Sequence, residues 1–210
     1  MEYLGVGKGE FRAEYEVNRS LFIATVTRIE DVDEGFSFLQ SIRRRYPDAT
    51  HNPYAAVGSP ASGAFRFSDD GEPQGTSGAP ILNALKKQSL YHTAVVVTRY
   101  FGGIKLGAGG LVQAYSHAAV LGLEASEIVR YRLSESYSLS LDYKELGAVE
   151  QLLRASEAVI SDTRYTDSVE IDFSVPTEKA KEFLTSFQAL SAGKLDRLKT
   201  YERKYITYKR

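Results

Sequence analysis

The chain has 210 residues, with 26 Lys and Arg against 27 Asp and Glu. A near-zero balance gives the whole molecule no field of the kind that gathers nucleic acid, so any anion site has to be a local patch. The absence of cysteine excludes disulfides and thiolate metal sites, and neither a secretion signal nor a run of ~20 apolar residues is present. The sequence therefore predicts a cytoplasmic protein with no membrane partner.

Taken in order, Glu10–Val17 and Ser20–Ile29 read as two strands joined by an Asn18-Arg19 turn. Asp31 followed by Glu34 resembles an acidic capping box. Phe36, Leu39, Ile42 and Tyr46 then recur at near-helical spacing up to Pro47. Tyr54–Val57 and Ala64–Phe67 are short strands on either side of a Gly58-Ser59-Pro60 break. A glycine-rich loop, Asp69–Gly78, leads into a helix over Ala79–Gln88 with Ile81, Leu82 and Leu85 inward and Pro80 in its first turn. Ala94–Thr98 is an apolar, β-branched run suited to a central strand. A second glycine loop precedes a helix over Gly109–Ala125, packed through Leu111, Tyr115, Ala118 and Leu121–Gly122.

Glycine thins out after Glu127, and the remaining chain has a βαββαβ rhythm. Strands are predicted at Tyr137–Leu141, Ala158–Tyr165, Ser168–Val175 and Leu195–Tyr208, with helices at Lys144–Glu157 and from Pro176-Thr177 to Leu190, stopped by Gly193. That order suits a ferredoxin-like sandwich. The expected class is α+β in two domains, residues 1–130 and 131–210, with the boundary near Arg130–Glu135.

Chemistry-bearing residues concentrate between Phe67 and Ala119. Gly102, Gly103, Gly107, Gly109 and Gly110 precede a helix, where converging N–H groups and the helix dipole favour an anion. Lys105 and Arg99 would add positive charge. The alternative is that these glycines only make a tight strand-to-helix connection. The spacing fits neither a Walker A loop nor GxGxxG, and no organic cofactor is implied. Asp69, Asp70 and Glu72 are candidate catalytic or Mg²⁺-binding carboxylates, or an acidic turn bonded to its own N–H groups; no metal is the expectation. Thr76 and Ser77 are candidate ligand contacts, and either would serve equally as a helix N-cap. His51, Gln74 and Tyr100 are accessory candidates, whereas His92 and His117 read as structural. The tail Arg197–Arg210 interleaves basic residues with Tyr201, Tyr205 and Tyr208, as an RNA-stacking surface or simply one aromatic strand face would.

The segments RFSDDGEPQGTSGAPIL and AVVVTRYFGGIKLGAGGLVQAYSHAA resemble the signature of the IMPACT/YigZ family, and DATHNPYA resembles its upstream HNCYA-type motif. The likeness covers roughly residues 1–130, and the remainder resembles the domain appended in bacterial members. It implies an N-terminal domain similar to domain IV of elongation factor G, a ribosomal-protein module also used by GHMP kinases, and a C-terminal domain similar to domain V of that factor. Eukaryotic relatives carry a further RWD domain that engages the starvation-kinase pathway; nothing like it precedes Glu10 here. Pro53 stands where the family often has cysteine, which argues against a thiol role.

Two readings follow. One is a non-enzymatic module that holds phosphates of RNA, a nucleotide or the ribosome in the glycine cradle and regulates translation, without DNA sequence recognition. The other is a metal-dependent enzyme acting on a phosphorylated small molecule through Asp69, Asp70 or Glu72. No nucleophile–base pair is evident, which favours binding.

Overall fold

Residues 2–191 and 197–208 are described by the computed structural model, which divides into two units, Tyr3–Val129 and Arg130–Arg210 with Met1–Glu2. After a short strand β1 (Glu2–Val6), the predicted hairpin forms from β2 (Glu10–Val17) and β3 (Ser20–Arg28). Asn18 and Arg19 both take positive φ, 48° and 63°. A two-residue loop of that kind has the backbone twist that suits a tight hairpin.

Helix α1 (Val32–Arg45) starts where the Asp31 carboxylate accepts the N–H groups of Asp33 and Glu34, each at 2.9 Å. Glu34 reaches back to the N–H of Glu30 at 2.6 Å, one residue upstream of the predicted capping-box partner. Arg43, Arg44 and Arg45 in its last turn complement the helix dipole. Leu39 and Ile42 are buried, whereas Phe36 lies on the solvent side.

β4 (Tyr54–Val57), β5 (Phe65–Ser68) and β6 (Thr93–Tyr100) complete an antiparallel sheet in the order β2-β3-β6-β4-β5. Helices α2 (Gly78–Lys87) and α3 (Gly107–Glu124) pack on one face, α1 on the other. Phe22, Val95 and Val97 meet Ile81, Leu85 and Leu111, while Ala94 and Val96 meet Leu39 and Ile42. Coverage of both faces explains the unbroken apolar run in β6, each of its valines contributing about 1.5–3 kcal/mol on burial. Near the C-terminus of α3 Gly122 is buried as expected, together with Leu123, whereas Leu121 is only partly buried.

The second unit is built from β7 (Ile128–Leu141), α4 (Leu146–Ala155), β8 (Val159–Tyr165), β9 (Val169–Pro176), α5 (Thr177–Leu190) and β10 (Leu198–Tyr208). β7 begins nine residues before the predicted Tyr137. The antiparallel order β10-β7-β9-β8 follows from the βαββαβ connectivity. Tyr137, Leu139, Ile171 and Phe173 face Val149, Leu153, Phe183 and Phe187. Period-two alternation leaves Ser136, Ser138, Asp172 and Ser174 on the helix-free face. The predicted stop at Gly193 and the start of the last strand lie outside the described residues.

Candidate functional site

β5 and β6 are both antiparallel to β4, so they run parallel to each other. The two glycine-rich junctions, β5 to α2 and β6 to α3, therefore leave the same end of the sheet.

The first junction is organised by Asp69. Its Oδ1 accepts the N–H groups of Ser77 (3.1 Å) and Gly78 (2.8 Å) and the Ser77 hydroxyl (2.8 Å), and its Oδ2 accepts the N–H of Gly75 (2.8 Å). Burial disfavours the Asp69 charge, but the hydrogen bonds from Gly75, Gly78 and Ser77 outweigh it and hold the pKa below the ordinary value. This carboxylate supplies the anion that a helix N-terminus attracts. Ser77 occupies the N-cap position, yet its hydroxyl makes no capping bond, and the Thr76 hydroxyl donates to the Pro73 carbonyl at 2.6 Å. The predicted capping role thus passes from Thr76 or Ser77 to Asp69, because a carboxylate accepts several N–H groups at once.

Asp70 takes a positive φ of 47°. Its carboxylate bonds the Arg43 guanidinium and accepts the Asn52 N–H at 2.6 Å. Its carbonyl accepts from His51 Nδ1 at 2.8 Å, which places the imidazole proton on Nδ1. Asn52 Oδ1 in turn accepts the Thr98 hydroxyl at 2.7 Å. Gln74 is exposed on the turn.

Glu72 points inward, away from the two aspartates' partners. One oxygen, Oε1, accepts from the Arg99 guanidinium and the Tyr115 hydroxyl, both at 2.6 Å. Glu72 and Arg99 are 8% and 5% exposed, so this is a buried ion pair. The rings of Phe22 and Phe101 flank the guanidinium at 5.4 and 5.5 Å, and Arg99 Nε has no hydrogen-bond partner among the described residues. Burial, reinforced by Glu72, drives the Tyr115 pKa far above that of a free phenol, so Tyr115 acts as a hydrogen-bond donor and not as an acid near neutrality. The three carboxylates predicted as a cluster are thus engaged by three different sets of partners. Among the described residues no group of three His, Cys, Asp or Glu is placed to hold a metal ion.

The second junction is built differently. A Cβ on Gly102 would lie 1.9 Å from the Arg19 carbonyl oxygen, so this position requires glycine for close approach to the β2–β3 turn. Its N–H donates to Ser20 Oγ at 3.2 Å. The loop stem is fixed by Tyr100, whose hydroxyl donates to Asp48 at 2.9 Å, and by the Phe101 N–H on Thr50 Oγ1 at 3.0 Å. Gly103 and Gly107 take positive φ, 85° and 69°, over open space, and Gly109 has helical backbone with nothing within 4 Å of an added Cβ. Gly110 would meet only Leu106, at 3.2 Å. α3 starts without a side-chain cap and without an acidic residue in its first turn. Lys105 is exposed beside it with no ion pair among the described residues.

Of the predicted residues, the structure joins Glu72 to Arg99, Asp69 to Ser77, and Asp70 to His51. Sequence reasoning gives Tyr115 only a packing role; the available signal is a tyrosine, not a phenylalanine, on a core helix face, since a buried hydroxyl requires a partner. Arg43, Asn52 and Thr98 carry no comparable signal.

Residues 18–123 match the Impact N-terminal domain, and residues 139–194 match a domain of unknown function, DUF1949. The chain is 38% identical to the IMPACT family member YvyE of Bacillus subtilis over 183 residues, 87% of this chain and 84% of that protein. It is 35% identical to YigZ of Escherichia coli over 185 residues, 87% of this chain and 91% of that one. A crystal structure of a hypothetical protein superimposes with a TM-score of 0.62 at 31% identity, over 95% of this chain and 96% of the other.

Proposed function

Given that the chain belongs to the IMPACT family, we propose that it is a non-enzymatic cytoplasmic binding protein whose second glycine junction holds phosphates of RNA, a nucleotide or the ribosome, in the service of translation control. The single observation that carries this reading is Gly109. It has neither a positive φ nor a neighbour that forbids a side chain, and glycine at a helical position costs about 1 kcal/mol relative to alanine. Backbone access for a ligand gives that cost a purpose. Lys105 and the uncapped first-turn amides of α3 would then contact phosphate oxygens, with Gly103, Gly107 and Gly110 keeping the approach open. Arg99 supports the site from behind, through Glu72. Residues 1–130 and 131–210 act as two domains in this reading, and the likeness to elongation factor G parts seen in the sequence favours a translational setting.

The test is fluorescence anisotropy with a labelled single-stranded RNA. Binding should be saturable at about 50 mM salt and should weaken linearly on a log–log plot as salt rises, since phosphate contacts release counterions. Competition by ATP or inorganic phosphate would identify the phosphate itself as the recognised group. Absence of RNA, nucleotide and ribosome association at low salt would overturn the proposal.

A further inference from the structure

The sheet of the first unit has two edges, and they are protected unequally. β2 carries Glu10, Arg12, Glu14 and Glu16, with ion pairs between Arg12 and Glu14 and between Arg45 and Glu10. Charges along an edge strand discourage pairing with another chain. β5, at the opposite edge, reads Phe65-Arg66-Phe67-Ser68. Phe65 and Phe67 are 48% and 42% exposed and, being two residues apart, share the face on which α2 lies. Arg66 points the other way, to Asp33 at 2.7 Å. The backbone of Phe65–Phe67 pairs only with β4 among the described residues, which leaves its outer hydrogen-bonding groups open.

Charge identifies what would cover this strip. Lys86 Nζ lies 3.9 Å from the centroid of the Phe65 ring, and neither Lys86 nor Lys87 has a carboxylate partner among the described residues. Both also line a groove of about 590 Å³ between α2 and α3 that contains no acidic residue. A second copy adding its own β5 edge to edge would bring the two Lys86–Lys87 pairs together, an arrangement of like charges. A foreign strand bearing carboxylates would neutralise them.

We propose that the β5 edge is a docking strip for an extended, acidic and apolar segment of a partner protein, added to the sheet as a further antiparallel or parallel strand. Its backbone would pair with Phe65–Phe67, its apolar side chains would cover the two phenylalanines, and an acidic side chain would meet Lys86. This surface is separate from the glycine junction and does not depend on the phosphate reading.

The test uses the full chain and a fluorescein-labelled nine-residue peptide alternating valine with glutamate, compared with the same peptide carrying lysine for glutamate. The acidic peptide should bind saturably with a dissociation constant below about 1 mM, and the lysine peptide should not. Affinity should fall at least tenfold in Lys86→Glu and in the double substitution Phe65→Ser, Phe67→Ser. These side chains are exposed, and two independent variants guard against a folding artefact in either. Bound peptide should slow amide hydrogen exchange at β5. Equal binding of both peptides, unchanged affinity in both variants, protection confined to the groove between α2 and α3, concentration-dependent dimerisation lost in the phenylalanine variant, or RNA occupying the strip would each overturn the proposal.

Discussion

The two loop-to-helix junctions look alike in sequence, each rich in glycine and flanked by charge, and the structure uses them in opposite ways. At α2 the chain supplies its own anion: Asp69 closes on Gly75, Ser77 and Gly78 and satisfies the helix end internally. At α3 the corresponding amides end in a glycine-rich turn with no cap and an exposed lysine. Glu72 links the halves, since it belongs to the first loop and bonds residues of β6 and α3. One junction therefore completes its helix end from within the chain, and the other has no side-chain cap and no acidic residue in its first turn.

The largest effect should come from cutting the link. Glu72→Ala leaves Arg99 buried without a counter-charge, which costs about 3–5 kcal/mol and should appear as a large drop in the urea midpoint. Replacing the pair together, Glu72→Leu with Arg99→Met, should recover much of that loss; failure to do so would mean that the pair acts through more than its charge. Next comes the cap. Asp69→Ala should destabilise by about 1–2 kcal/mol. Because the folded pKa of Asp69 lies below the ordinary value, its stabilisation is fully present above about pH 4, the range of an unfolded aspartate, and is lost as pH falls through the lower folded value. Urea titrations of wild type and Asp69→Asn at neutral and strongly acidic pH should therefore converge at the acid end.

At the open junction stability and binding should move apart. Gly109→Asp adds helix propensity and a negative charge at a helix start, and should raise stability by about 1 kcal/mol while abolishing RNA binding. Thermal unfolding and anisotropy on one sample decide this, and parallel losses would contradict the comparison. The smallest effect is that of Lys105→Ala, with stability unchanged but the magnitude of the salt dependence reduced by about one unit of slope.

Much of this was legible before any coordinates. The Asn18-Arg19 turn, the apolar run at Ala94–Thr98 and the βαββαβ order each follow from local rules, and the structure places strands and helices close to the expected spans. Phe36 was misleading because the buried stripe of α1 runs through Gly35, Leu39 and Ile42, which leaves Phe36 on the exposed flank of the helix. The site was less legible for a physical reason. Whether Asp69 binds a ligand or caps a helix depends on which N–H groups approach it from eight and nine residues later, and whether Arg99 faces an anion or Glu72 depends on burial. Spacing shows that charges are near one another along the chain; only packing decides which are already paired. The family resemblance was carried by the same residues and identified the chain correctly.

Three of the four residues in the first turn of α3, Gly107, Gly109 and Gly110, are glycine. Glycine lowers helix propensity, so on the proposed reading a phosphate captured there would also have to order the turn, and the apparent affinity would be reduced by the fraction of molecules in which the turn is closed. Binding should accordingly be favoured by enthalpy and opposed by entropy, tighten on cooling, and slow amide exchange in this turn more than in the body of α3. On the proposed phosphate reading, glycine would make the contact reversible as well as accessible, a property suited to a protein that samples its target and lets go.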